Sequence, residues 1–219
     1  MEFNAADIFE GVVRRIPDRE AVVLGDTRLT YQQLDARANK AAHALQKLNI
    51  SKGSHIGIYA FNCIEWLEIM LGAYKLCAIP ININYRYVEE ELKYLIDNAD
   101  MESVFFHKQF SEKLNNISGD LPLLKTFVSI EDGSDIKSEL ECTDFEALIK
   151  DESEEQIPQS RSGDDRYILY TGGTTGMPKI AQHRHSGVLY NGWIGASPIG
   201  NENLNKYKYK KIFFDIIYK

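Results

Sequence analysis

The stretch "HIGIYAFNCIEWLEIMLGAYKLCAIPINI", His55 to Ile83, decides the fold. "HIGIYAF" has the length and β-branched content of a strand, "IEWLEIMLGAYKL" carries apolar residues at helical spacing, and "AIPINI" is a second short apolar run. It is the most apolar part of the chain, yet Lys75 and Pro80 interrupt it well before the roughly 18 apolar residues that a membrane span requires. The stretch therefore reads as strand, helix and strand of a water-facing domain.

The same alternation extends outward. Upstream, Thr30 and Gln33 have capping-box spacing, and Leu34, Ala38, Ala41, Leu45 and Leu48 recur at three and four residues, which predicts an amphipathic helix ending near Asn49 and a turn at Ser51 to Gly53. Downstream, "VEEELKYLIDNA" predicts a helix with acids in its first turn, where the macrodipole favours them. "SVFF" and "LLKTFVSI" predict two further strands. Strands and helices alternating at this spacing imply an α/β fold: a layered domain whose largely parallel sheet is flanked by helices, over residues 1–130. No internal repeat is visible.

Composition narrows the partners. The chain has 219 residues and 44% hydrophobic content, enough for a buried core. Its formal net charge is −7, so there is no basic field to hold nucleic acid or an anionic membrane. "MEFNAADIFEGVVRRIPD" places acids before any apolar run and does not read as a secretory signal. Cys63, Cys77 and Cys142 are odd in number and widely spaced, which argues against a disulfide framework or a zinc site. A cytoplasmic protein with reduced thiols is expected, with no transmembrane segment and with homo-oligomer formation left open.

From Glu131 to Asp165 the text turns acidic, thirteen Asp and Glu against three Lys and Arg. It predicts a solvated linker, residues 131–165, holding one short helix, "TDFEALIK", capped by Thr143 with Glu146. Residues 201–219 form an atypical tail: sixteen of the nineteen are Asn, Lys, Tyr, Ile or Phe, and the charge reverses to five lysines against two acids. Such a stretch resembles translated non-coding or out-of-frame sequence, and its apolar residues lack the period of a membrane-surface helix.

Between them, residues 166–200 carry the chemistry. "YILYTGGTTGMPK" sets Gly172, Gly173 and Gly176 among Thr171, Thr174 and Thr175 behind a short apolar run, with Lys179 after them. Glycines admit positive φ and let a ligand approach the backbone, successive amides make an anion-binding concavity, hydroxyls add donors or magnesium ligands, and the lysine supplies a mobile cation. A phosphate is the expected ligand. The spacing fits neither a Walker A loop, since Met177 and Pro178 separate Gly176 from Lys179, nor a dinucleotide fingerprint. His183 and His185 flank Arg184 without a third ligand, and a plain surface or core role is expected for them, as for His43, His55 and His107. Trp66 and Tyr85 read as packing residues rather than walls of an acyl pocket.

At these residues the sequence resembles the adenylate-forming enzymes, the group containing acyl-coenzyme A synthetases, luciferases and the adenylation domains of peptide synthetases. "YTGGTTGMPK", Tyr170 to Lys179, is similar to their phosphate loop, and "LTYQQLDARANKAAHALQKLNISKGSHIGIY" and "EWLEIMLGAYKLCAIPININYRYVEEELKYLIDNAD" resemble the opening elements of the acyl-coenzyme A synthetase branch. The resemblance implies an incomplete N-terminal domain of such an enzyme. It implies ATP, Mg2+ and coenzyme A as co-substrates and cofactors, and a hydrophobic carboxylic acid as the small-molecule substrate. Thr171, Gly172, Gly173, Thr174, Thr175 and Gly176 would hold the β- and γ-phosphates, and Lys179 would act catalytically on the departing pyrophosphate. Which residue meets the metal stays open between Thr174 and Thr175.

Two features depart from the pattern. Ile180 stands where the family has glycine, and would strain the loop exit if its φ were positive. The family's adenine motif, magnesium-holding glutamate, ribose-binding aspartate, hinge and C-terminal domain have no counterpart in the 219 residues. The expected activity is therefore that of an AMP-forming acyl-coenzyme A ligase, with this chain inactive alone. A short nucleotide- or partner-binding module is one alternative, and an adenylating enzyme of luciferase or peptide-synthetase type is another.

Overall fold

Strand β3 of the main sheet, His55–Tyr59, sends Ile56 and Ile58 to one face and Tyr59 to the other, and both faces are buried. A strand covered on two sides needs helices on two sides, which is what a parallel sheet with crossover connections provides. A computed structural model of the protein describes residues 4–171 and 177–187. In chain order the other elements are α1 (Ala5–Arg15), the hairpin β1 (Glu20–Leu24) and β2 (Thr27–Thr30), and α2 (Tyr31–Lys47), all before β3. After it come α3 (Ile64–Lys75), β4 (Ile79–Asn82), α4 (Glu89–Asn98), β5 (Ser103–His107), α5 (Ser111–Ser118) and β6 (Thr126–Ile130). The last are β7 (Thr143–Asp144), α6 (Phe145–Ile149), β8 (Arg166–Thr171) and β9 (Lys179–Arg184).

The main sheet is parallel throughout, in the order β4-β3-β5-β6-β7. Ile56, Ile58, Phe105, Val128 and Ile130 face a core built with α1, α2, α3 and α6. Tyr59, Ile81, Val104 and Phe106 face a second core built with α4 and α5. The expected strands and helices and the parallel sheet are observed, while α1, the β1–β2 hairpin and α5 were not among the expected elements.

Helix α3 lies directly on α2 because both present small residues. A Cβ added at Gly72 would stand 3.0 Å from Ala41 Cβ, 3.0 Å from the Ala42 amide nitrogen and 3.1 Å from the Ala38 carbonyl oxygen. Those neighbours are helix backbone and methyl groups with no flexible end to move aside. Gly72→Leu is therefore expected to separate the two helices and cost about 3 kcal/mol, the upper part of the usual overpacking range. Urea unfolding measures it, and an unchanged midpoint would show that the seam can open.

The Thr30 capping box is present: Thr30 Oγ1 accepts the Gln33 amide at 3.2 Å, and Gln33 Oε1 accepts the Thr30 amide at 2.9 Å. The cap expected at Thr143 is not. Thr143 is spent in β7, paired with Val128, and the next residue, Asp144, caps α6 by accepting the Ala147 amide at 3.0 Å.

The acidic segment expected as a solvated linker is laid along the outer face of α2. Glu146, Glu152 and Glu154 pair with Arg37, Lys47 and Lys40, and the carbonyls of Glu154 and Glu155 meet Asn39 at 2.8 Å and His43 at 3.0 Å. Phe145, Ile149 and Ile157 are buried beneath it. Its acids have a basic helix face to complement, which a reading of the segment alone does not reveal.

Under α1 lies a buried ionic cluster. Lys75, only 1% exposed, donates to Glu10 Oε1 at 2.7 Å and Asp35 Oδ1 at 2.8 Å. Arg161 donates to Glu10 Oε2 and Asp7 Oδ1, both at 2.8 Å. Burial pushes the Glu10 pKa up, but the hydrogen bonds and charges of Arg161 and Lys75 outweigh it and hold the carboxyl below its ordinary range.

Candidate functional site

The glycine and threonine segment falls, in sequence, between the two strands of an antiparallel hairpin. β8 and β9 pair in unbroken register from Arg166 with Arg184 to Thr171 with Lys179. Residues 172–178 connect them; Gly172, Gly173, Thr174, Thr175 and Gly176 lie outside the described residues. The hairpin closes at its mouth: the Thr171 hydroxyl donates to the Lys179 carbonyl at 3.3 Å. Lys179 is exposed, and among the described residues no carboxylate pairs with its ammonium. Thr171 and Lys179, eight residues apart in sequence, are thus face to face across the loop's two feet.

Ile180 does not strain the exit. It is a strand residue, and it is not among the described non-glycine residues with positive φ, which are Asn49, Cys77 and Asp100. Its side chain is 41% exposed and stands opposite Tyr170, so a branched residue fits the ladder where the expectation was strain.

Tyr170 fixes the first foot. Its hydroxyl donates to Asn98 Oδ1 at the end of α4, at 3.0 Å, and burial raises its pKa to about 12, so it remains the protonated donor at neutral pH. Ile168, 1% exposed, pins the same strand into the core beside α4.

The root of the hairpin is held by polar contacts that the sequence reading passed over. Asp165, just before β8, accepts Asn4 Nδ2 at 2.8 Å, the Ser162 amide at 2.8 Å and Lys52 Nζ at 2.9 Å. Burial would raise the Asp165 pKa, but the Ser162 amide, Lys52 and the Cys77 thiol together hold it below the usual carboxylate range. The Asp165 carbonyl accepts the amide of His185, the residue that follows β9, at 2.9 Å. His185 is 3% exposed, its Nδ1 accepts the Ala5 amide at 3.2 Å, and its ring meets Tyr74 edge-on at 4.9 Å. Burial lowers its pKa against the pull of Asp165, which leaves the imidazole neutral and able to accept. His183, by contrast, is exposed on β9. Asn4 also caps α1 by accepting the Ala6 amide at 2.9 Å, and its spacing to Asp7 is the local signal that could have marked it.

A second cluster gathers where β3 and β5 end, at the point where the chain turns to opposite faces of the sheet. Phe61 packs 4.6 Å from Tyr85 and 5.3 Å from Phe110, and its amide donates to His107 Nδ1 at 3.2 Å. Burial lowers the His107 pKa despite Asp132 and Glu65. Trp66 packs against the helical core and donates to Asn82 Oδ1 at 3.3 Å. Among the described residues no group of three His, Cys, Asp or Glu could hold a metal ion, and no helix is long and apolar enough to cross a membrane.

Comparison with known proteins places the chain in a family. Residues 9–208 match the AMP-binding enzyme family. The chain is 43% identical over 189 residues to a 3-oxocholest-4-en-26-oate–CoA ligase of Rhodococcus rhodochrous, covering 86% of this chain and 34% of that one. It is also 43% identical over 190 residues to a medium/long-chain-fatty-acid–CoA/3-oxocholest-4-en-26-oate–CoA ligase of Mycobacterium marinum, covering 84% and 34%. Among solved structures, the anthranilate CoA ligase AuaEII in complex with anthranoyl-AMP matches with a TM-score of 0.82 at 25% identity, over 89% of this chain and 37% of that one. The chain spans about a third of the length of the two ligases it matches in sequence. With residues 9–208 of its 219 matched, the chain belongs to the AMP-binding enzyme family.

Proposed function

We propose that the chain supplies the phosphate-holding, N-terminal part of an AMP-forming acyl-coenzyme A ligase that acts in the cytoplasm on a hydrophobic carboxylic acid. The observation that carries this reading is the pairing of Thr171 with Lys179, which sets an exposed ammonium, with no carboxylate partner among the described residues, at the feet of a segment of glycines and hydroxyls. The named ligase activities of the relatives favour a fatty or steroid side-chain acid over an amino acid.

In the reaction, the acid's carboxylate oxygen attacks the α-phosphorus of ATP, the bond to the bridging oxygen breaks, and pyrophosphate leaves. The coenzyme A thiol then displaces AMP from the acyl-adenylate. The loop residues 171–176 hold the β- and γ-phosphates through backbone amides and hydroxyls, and Lys179 offsets the negative charge that builds on the departing pyrophosphate. Magnesium would screen the phosphates when bound, and Thr174 and Thr175 are the hydroxyls offered to it. The chain alone is inactive, because orienting both reactants supplies much of the rate and requires groups beyond these residues.

The test is a hybrid in which this chain replaces the matching first third of the Rhodococcus rhodochrous relative. Exchange of labelled pyrophosphate into ATP should depend on added hydrophobic acid. A folded hybrid that exchanges only with amino acids would overturn the substrate class, and one that never exchanges would overturn the reading itself.

A further inference from the structure

Strand β9 carries Lys179 yet does little to hold it in place. Five of its six residues are exposed and the sixth, Ala181, is half-buried. Its position rests on the ladder to β8, on two exposed side-chain contacts, Arg184 with Asp164 at 3.0 Å and Gln182 with Arg166 at 3.4 Å, and, at its far end, on the buried His185. That residue is tied through its amide to the Asp165 carbonyl and through its ring to the Ala5 amide and Tyr74, while the next residue, Ser186, donates its amide to the Gly163 carbonyl at 2.9 Å. The Asp165 carboxylate is itself fixed by Asn4, Ser162 and Lys52. Both strands of the hairpin are therefore rooted at one buried point between α1 and α3.

We propose that His185 and Asp165 are positioning residues for Lys179, setting from the root of the hairpin where its ammonium stands at the tip. The inference rests on the phosphate-holding role proposed for the loop. The geometry is that of a lever: six residues at about 3.4 Å each put Lys179 roughly 20 Å from His185, so a tilt of about 3° at the root moves the ammonium by about 1 Å. A displacement of that size is enough to cost about 100-fold in rate when a group must meet a developing charge. The buried root does by rigidity what the exposed strand cannot do by packing.

Amide hydrogen exchange on the 219-residue chain tests the root without any ligand. His185→Phe keeps a ring against Tyr74 but removes the acceptor of the Ala5 amide, whereas His185→Asn restores an acceptor near the Nδ1 position. His185→Phe should speed exchange of the amides in residues 179–184 by about tenfold or more and leave those of β3 and β5 within about twofold, and His185→Asn should stay close to the unsubstituted chain. In the hybrid ligase, His185→Phe should lower kcat by about tenfold or more with KM for ATP nearly unchanged, and His185→Asn should recover most of it. Should His185→Phe fail to fold, Asp165→Asn is read in the same way. Unchanged exchange in β9, equal acceleration in β3 and β5, or a loosened β9 with unchanged kcat each overturns the proposal. If the unsubstituted hybrid is inactive, the phosphate-holding reading falls, and the exchange comparison still decides whether the root holds the strand.

Discussion

Replacing Lys75 with methionine is expected to lower the unfolding free energy by about 3–5 kcal/mol, the usual cost of breaking a buried ion pair by removing one partner. Methionine fills a similar volume, so the loss is electrostatic. Glu10 keeps Arg161 at 2.8 Å, but Asp35 is left, among the described residues, with Asn39 Nδ2 at 3.4 Å, at a site 8% exposed. A carboxylate there must either lose its charge or draw in water. A domain's stability is only about 5–15 kcal/mol, so the variant should unfold at much lower urea, with little dependence on salt because the pair is shielded from it. Lys75→Met combined with Asp35→Leu should recover part of the loss, since removing both partners spares the uncompensated charge. A single-variant loss under about 1 kcal/mol would mean that Arg161 can swing over to neutralise Asp35.

The second large effect is on chemistry. In the hybrid ligase, Lys179→Ala should slow adenylation by about 100- to 1,000-fold, the scale seen when one preorganised donor to a developing charge is removed. KM for the acid should change by less than about threefold, because the role proposed for the lysine is at the leaving group and not at the acid. Lys179→Arg should recover only part of the rate, since a planar fork replaces a compact point charge at the end of the same strand. Pyrophosphate exchange measured against acid concentration separates the two parameters. An unchanged kcat in Lys179→Ala would remove the lysine from the mechanism.

What could be read from the sequence was what is local. Thr30 and Gln33 are three residues apart and cap each other, and the strand runs around His55, Ile79 and Ser103 carry their burial in their own composition. The residues expected to form the phosphate loop, Thr171 to Lys179, stand out in the sequence for the same reason, because glycines, hydroxyls and lysine are contiguous there. What escaped was what is distant. Lys75 read as a break in an apolar run, but its partners Glu10 and Asp35 lie 65 and 40 residues away, and the charge is fully buried. Asp165 read as the end of a linker, but its partner Asn4 is 161 residues away. The strain expected at Ile180 assumed a loop backbone, whereas pairing with Tyr170 makes it a strand.

The bond from Asn4 to Asp165 also has a consequence in time. On the ribosome, the residue that caps α1 emerges well before its partner, which must wait for some 160 more residues, at about 5–20 residues per second on the order of 10–30 s. His185, which takes the Ala5 amide, arrives later still. During that interval α1 has its side-chain cap but no seat, and Phe9, fully buried in the finished fold, stays open to solvent or to a chaperone. The α/β layers can assemble in order as they leave the tunnel, while α1, made before them, is among the last to be locked in place.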